Sequence, residues 1–427
     1  GFFPAVSLGW VISEEKFFPK NNIVKYLKVR GSYGEVGNDQ IGGDRFLYLP
    51  SSYGAASDSG VNKYNFGLAS NPYTSLMIVE NKIGNPDLTW EKAKKMNVGV
   101  DINLFNNCLT ASFDIFKEKR NNILANRSTS PMIIGANLPA YNFGEMENRG
   151  WEMDLNFRHH IQDFHYWARF NYSFARNEII YMDEVQKRYD YQMTTGRRKN
   201  QFFGLIFDGY YNSWEEINAL DRPKSSWSGN QLQPGDVKYV DVNQDGVIDD
   251  YDMVPIGYTP VPEIIYGFSF GAQYKGFDFS ILFQGADNVS IKYFGRSMWP
   301  FAKGEESAKS LIKERWTQER YEAGEKITFP RLSLNPNGET DHNYRPSTLW
   351  IRDASYLRLK NLEVGYTFTG GFVKRLNLNS VRLYFNGSNL FTWTDVVDLD
   401  PEAPSRSGNV EINTYPLQKV YNIGLNI

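Results

Sequence analysis

The chain has 427 residues, enough for several ordinary domains or one very large sheet, and its formal net charge of −3 gives no electrostatic case for a nucleic-acid partner. No run reaches the ~18 apolar residues that a membrane-spanning helix needs, and the single cysteine, Cys108, excludes an intrachain disulfide. Aromatic residues make up 15% of the chain, and a mean hydropathy of −0.49 does not argue against a membrane barrel, because strand alternation dilutes the average.

Strands are predicted in chain order at roughly 5–12, 26–34, 94–105, 108–118, 148–160, 163–176, 263–275, 276–287, 354–369, 379–391 and 419–427. Val98, Val100, Ile102 and Leu104 alternate with Asn97, Gly99, Asp101 and Asn103. Leu109, Ala111, Phe113 and Ile115 alternate with Thr110, Ser112 and Asp114, and Trp151, Met153, Leu155 and Phe157 with Glu152, Asp154, Asn156 and Arg158. Strand side chains point to opposite faces with period two, so each segment has one apolar and one wet face. Aromatic-rich apolar faces, charged wet faces and segments of about ten residues are the signature of an antiparallel transmembrane β-barrel. Phe164 to Phe174 and Ile264 to Tyr274 repeat the pattern with rings at even positions. Near 354–369 the phase slips from Leu357 and Leu359 to Leu362, Val364, Tyr366 and Phe368, and a bulge at Lys360-Asn361 restores the apolar face.

The connections alternate in length. Short ones are expected at Asn106-Asn107, Ile161-Gln162 and Lys275-Gly276, with longer pieces near 13–25 and 370–378; the long loops cover about 35–93, 119–147, 177–262, 288–353 and 392–418. Outer-membrane barrels have short periplasmic turns and long extracellular loops. Eleven strands in this order send the last one inward and put the C-terminus in the periplasm. Ser228 and Asn337 then lie outside the cell, and Asn107 and Lys275 in the periplasm.

A chain of motifs supports this reading: Phe3-Pro4-Ala5-Val6-Ser7-Leu8-Gly9-Trp10, Leu27-Lys28-Val29-Arg30-Gly31-Ser32-Tyr33-Gly34, Ile83-Gly84-Asn85-Pro86-Asp87-Leu88-Thr89-Trp90-Glu91-Lys92, Asn148-Arg149-Gly150-Trp151-Glu152, Gly235-Asp236-Val237-Lys238-Tyr239, Pro255-Ile256-Gly257, Ser355-Tyr356-Leu357-Arg358-Leu359-Lys360-Asn361-Leu362 and Gly387-Ser388-Asn389-Leu390-Phe391-Thr392. In this order they resemble the C-terminal barrel half of SusC/RagA-like TonB-dependent transporters of Bacteroidota outer membranes. The resemblance implies residues 1–427 as about eleven C-terminal strands of a 22-stranded barrel, with the plug and N-terminal strands absent. The sequence starts at Gly1 directly on a strand with no signal-peptide pattern, as expected of a processed chain or a fragment, and Ile427 departs from the aromatic residue on which the family commonly ends. An open sheet edge in hydrocarbon leaves N–H and C=O groups unsatisfied, so closure is expected from the N-terminal half. The resemblance further implies import of a nutrient, an oligosaccharide or a peptide, under a SusD-like surface lipoprotein that closes as a lid. TonB would act through the missing upstream region. The localisation implied is the bacterial outer membrane, in contact with lipid.

The sharpest local motif is Asp241 to Asp252, with oxygen donors Asp241, Asn243, Asp245, Asp249 and Asp252, the carbonyl of Val247, and Gly246 at the sixth position. That is the ligand order of an EF-hand loop for calcium or magnesium, although position twelve is Asp and no flanking helices are predicted. The alternative is an acidic turn held by Asx hydrogen bonds. Tyr210, Tyr211, Trp214, Trp227, Trp299 and Trp350 are loop aromatics suited to stacking on sugars or meeting a partner, or else to folding the loops onto one another. A helix is predicted over Glu305–Glu322, carrying Leu311, Ile312, Arg315 and Trp316. No catalytic set stands out around the four histidines, His159, His160, His165 and His342, and neither the cysteine nor any serine sits in a nucleophile context, so no enzyme is expected. Two other classes stay open: a secreted calcium-stapled carbohydrate-binding or hydrolysing β-protein, and a passive porin.

Overall fold

The computed structural model describes residues 1–39, 46–49, 54–55, 63–68, 72–79, 83–129, 138–227, 231–293, 299–301, 310–333, 341–397, 399–402, 409–410 and 417–427. Ser228 and Asn337 lie outside the described residues. The dominant element is one eleven-stranded antiparallel sheet whose strands follow each other in chain order. They are β1 (Ala5–Val11), β2 (Val24–Asn38), β3 (Glu91–Leu104), β4 (Leu109–Ala125), β5 (Tyr141–Ile161), β6 (Phe164–Tyr181), β7 (Ile264–Tyr274), β8 (Phe277–Asp287), β9 (Tyr356–Phe368), β10 (Val381–Thr394) and β11 (Val420–Asn426). Each of the eleven predicted segments is present, and most run longer at the end that meets a long loop.

Turn chemistry sets the register. Lys275 (φ 44) and Gly276 (φ 88) form a two-residue turn with both φ values positive, the hairpin geometry that matches strand twist, and Tyr274 pairs with Phe277. The β5–β6 turn is Gln162-Asp163, one residue later than predicted, with Ile161 opposite Phe164. Between β3 and β4, Phe105, Asn106 and Asn107 all take positive φ, and Leu104 pairs with Leu109. The expected bulge falls at Lys360: Leu282 pairs with Asn361 and Phe283 with Leu359, so Lys360 is skipped. Leu357 and Leu359 before it then share a face with Leu362 and Val364 after it.

The wall does not contain the hydrophobic core. Its apolar side chains, such as Val98, Ile115, Phe268, Phe385 and Ile423, are exposed on one face. The packed core lies in the loops. Leu205, Tyr210, Val237, Tyr239 and Ile248 of the β6–β7 loop join Val289, Ile291, Tyr293, Trp316, Phe329, Tyr344 and Trp350 of the β8–β9 loop, with Val396 after β10. Short ladders stitch this body together, including Phe207–Tyr210 on Val237–Tyr239, and Ser290–Tyr293 between Ile351–Asp353 and Asn409–Val410. Gly235 shows why its motif is demanding: at φ +92 it passes so close to the Trp316 ring that a Cβ would stand 2.5 Å from it.

The single helix predicted over 305–322 is not found. Residues 305–309 lie outside the described residues, and the rest is a short 3₁₀ segment at Ser310–Glu314 followed by a separate helix at Gln318–Glu322. Thr317 caps that second helix by accepting from the Arg320 N–H, while the Trp316 N–H is bonded to the Phe329 carbonyl at 2.8 Å. A backbone committed to that sideways pairing cannot continue as a helix. Among the described residues, β1 pairs only with β2 and β11 only with β10, so the sheet is open at both sides.

Candidate functional site

Two surfaces are built by this architecture: the polar face of the wall and a loop body at one end of it. On the wall, Arg30 of β2 reaches across β3 to β4. It meets Asp101 at 3.1 Å and Asp114 at 2.5 Å, and Ser112 donates to Asp101 at 2.9 Å. These residues alternate with the exposed apolar set, so the charges face away from it. A cavity of about 560 Å³ at the loop end of the polar face is lined by Glu91, Glu118, Arg120, Asn148, Lys199 and Glu263, among others.

The loop body is fastened to the wall at two buried ionic knots. Glu263, just before β7, is 5% exposed and takes both Arg176 of β6 and Arg198 of the loop, with Asn288 donating at 3.1 Å. Arg358 of β9 is 2% exposed and pairs with Asp400 and Glu402, each at 2.7 Å. Lys360, at the bulge, adds a 2.9 Å contact to Glu402, and Tyr356 donates to the same carboxylate at 2.7 Å. Asp400 also accepts from the Glu402 and Leu417 N–H groups. Burial works to raise the Asp400 carboxyl, but the Arg358 guanidinium and those N–H groups outweigh it and hold it below the usual carboxylate range. The sequence carries the Arg358 motif but not its partners, which lie more than forty residues on. These knots position the loops rather than letting them float.

Inside the body, Asp236 is the hub. It accepts from the Gln233 N–H at 2.7 Å and the Asn343 amide at 2.8 Å and pairs with Arg331 at 2.6 Å. His342 bridges its neighbours, with Nδ1 2.9 Å from the Ser225 hydroxyl and Nε2 2.7 Å from the Val237 carbonyl. Burial pushes this imidazole below its ordinary value and pushes the phenols of Tyr239 and Tyr344 upward.

Five of the six loop aromatics pack inward, folding the loops onto one another. Tyr210 (8% exposed) belongs to the core, and Tyr211 (6%) packs with Ile217 and Leu232. Trp227 lies under the Arg345 guanidinium at 4.1 Å, and Trp299 packs beside Tyr344. Trp350 is also buried, donating to the Asn343 carbonyl at 2.8 Å. Large rings are the main apolar area these loops can bury, and a core claims them first. Trp214 alone, at 55% exposure, presents its ring to solvent, at the start of a short helix capped by Ser213.

In the acidic loop, Asp241 accepts from the Gly246 N–H at 2.8 Å, Asn243 from the Asp245 N–H at 3.0 Å, and Asp245 from the Val247 N–H at 2.9 Å. Asp249 accepts from the Tyr251 N–H at 2.7 Å. Asp252 is fully buried, takes the Val242 and Asp249 N–H groups, and is pushed above the usual carboxylate range by burial. Asx bonding thus closes the turn. Asp241 Oδ1 is buried with no protein partner. Among the described residues, no three acidic, histidine or cysteine side chains converge as a metal centre requires.

An antiparallel meander with an exposed aromatic-rich outer face, a charged inner face and knotted loops at one end is the wall of a membrane β-barrel. The chain belongs to the TonB-dependent receptor-like β-barrel family, whose pattern matches residues 1–390. It is 27% identical over 445 residues to TonB-dependent receptor P3 of Formosa agariphila, and 27% identical over 433 residues to TonB-dependent receptor SusC of Bacteroides thetaiotaomicron. The whole chain is covered in both cases, against 42% and 40% of those relatives. A structure of the RagAB peptide importer superposes with a TM-score of 0.72 at 23% identity, covering 99% of this chain and 42% of that one. The chain therefore spans about two fifths of the length of the relatives it matches. Membership sets aside the secreted carbohydrate-binding protein as an alternative.

Proposed function

We propose that residues 1–427 form the C-terminal barrel wall and outer loop body of an importer in the bacterial outer membrane. In this reading TonB drives uptake of an oligosaccharide through a lumen plugged by the remainder of the protein. The long loops face the medium beneath a SusD-like lipoprotein, and the C-terminus is periplasmic. The observation that supports it most directly is the loop body knotted to a polar wall through Glu263 and Arg358, as a fixed receptor surface over a lumen requires. The exposed Trp214 ring supports a sugar ligand, because a flat ring stacks on a pyranose face. A peptide is the second reading, supported by the likeness to the RagAB peptide importer. The role is transport, without catalysis. The Asp241–Asp252 loop is a proposed structural site for calcium or magnesium, supported by the ligand order and by the unpartnered Asp241 Oδ1.

Growth of a deletion strain on single oligosaccharides or peptides, with and without TonB, tests the reading. Loss of growth on one oligosaccharide in both strains, and recovery of a lipoprotein with the detergent-purified protein, are expected. Uptake that persists without TonB would leave a passive porin. Elemental analysis of the wild type against Asp241→Ala with Asp245→Ala tests the ion: no calcium or magnesium in the wild type reduces the loop to its Asx turns.

A further inference from the structure

The wall carries a row of charges that its own ladder does not explain. The register sets Lys117 of β4 directly opposite Arg149 of β5, and Arg149 directly opposite Arg176 of β6. Like charges facing each other across a ladder destabilise it. All three alternate in phase with the exposed apolar set, two residues beyond the cross-strand row Ile115, Trp151 and Phe174. Their side chains are 49%, 61% and 40% exposed.

The depth of the row is marked by aromatics. Trp151 stacks on Tyr172 at 4.7 Å, and the Arg176 guanidinium lies 5.4 Å from the centre of the Phe174 ring. Such rings form the girdle at head-group level. A step of two residues raises the cations roughly 7 Å farther from the hydrocarbon. The β6–β7 loop folds over the row and adds Arg197 and Arg198. Together with Arg149 and Arg176, and with Glu178 beside them, they line a cavity of about 400 Å³.

Local carboxylates do not balance the site. Glu147 meets Lys117 at 2.9 Å and Arg149 at 4.0 Å, and Glu178 meets Arg149 at 3.9 Å. Glu263 is shared by Arg176 and Arg198. Lys119, one row farther out, is matched by Glu145 at 2.9 Å. Among the described residues, Lys117, Arg149, Arg176, Arg197 and Arg198 thus face three carboxylates. Guanidinium groups bind phosphate oxygens in pairs, and they are less strongly hydrated than an ammonium.

We propose that this outward row and the arginines above it bind the phosphate of an anionic outer-leaflet lipid head group. The lipid tails then lie along Trp151, Phe174 and Ile115, and the head group meets Arg198, the loop residue that the Glu263 knot ties to the wall. The inference rests on the orientation proposed above, with the long loops facing the medium, and not on the import reading.

The test uses the complete protein folded in detergent, with phosphatidylglycerol and phosphatidylcholine as probes and native mass spectrometry to count retained lipid. The wild type is expected to retain phosphatidylglycerol preferentially. Lys117→Gln with Arg149→Gln should lower that preference about 5- to 25-fold, taking about fivefold per surface cation. Glu178→Gln, which removes a competing carboxylate, should raise it. Heat-modifiable migration reports whether each variant has folded, and the Glu178 variant keeps the test open if the double variant has not. Equal retention of the two lipids, or a preference unchanged in both variants, overturns the site. Displacement by inorganic phosphate at matched concentration overturns the lipid assignment and leaves a free-anion site. Loss of nutrient uptake alone bears on the import reading and leaves this one untouched.

Discussion

Phe268→Arg probes which face of the wall meets lipid. Phe268 lies near the middle of β7, opposite Phe170 of β6 and Phe283 of β8, with its ring stacked on Phe283 at 4.5 Å and 15°. An arginine near the bilayer midplane costs ~2–4 kcal/mol, and loss of the stacked ring pair adds ~0.5–1.5 kcal/mol. Together the change is expected to destabilise the folded barrel by roughly 3–5 kcal/mol. Ser269, the next residue, points to the other face, opposite Arg169 and Leu282. Arginine there meets water and one like charge, at a cost of no more than ~1 kcal/mol. Urea titration of the protein in lipid vesicles, read by heat-modifiable migration, separates the two. A shift for Phe268→Arg at least twice that for Ser269→Arg is expected. Equal shifts would refute the face assignment.

Trp350→Ala should loosen the loop body and spare the wall. It removes a ring packed between Phe329 (5.4 Å) and Tyr344 (5.3 Å), for ~3–5 kcal/mol, so faster proteolysis of loops with unchanged barrel migration is expected. His342 makes the same body acid-sensitive. Its folded pKa lies below the ordinary 6.5, so as pH falls through that value the unfolded state takes the proton first and stability declines until the folded imidazole also titrates. Asp236, Asp341 and Arg222 are the charged groups acting on it. His342→Asn should flatten the pH profile of loop proteolysis, and a flat wild-type profile below that value would count against the argument. For sidedness, a membrane-impermeant thiol reagent on intact cells should label Cys at the fully exposed Leu220 but not at Asn107 or Lys275. Labelling of both sets would reject the topology.

The period-two pattern placed the strands, their apolar faces and the Lys360 bulge, because these depend on neighbours within a few residues and on turns that admit positive φ. Hairpin register was less secure. A two-residue turn at Ile161-Gln162 would set Arg149 opposite Phe174, and only its shift to Gln162-Asp163 sets Arg149 opposite Arg176. Tyr210, Tyr211, Trp227, Trp299 and Trp350 read differently. Composition marks them only as loop aromatics, and whether a ring faces solvent or core depends on which distant loop covers it. The Asp236–Asn343 and Arg358–Asp400 contacts join residues far apart in the chain, with no motif shared between the partners. The sequence by itself therefore determined the wall: eleven strands, their order and their two faces. Tertiary structure alone decided the loop body, because long loops have no period to read and are ordered by the buried charges and rings they bring together.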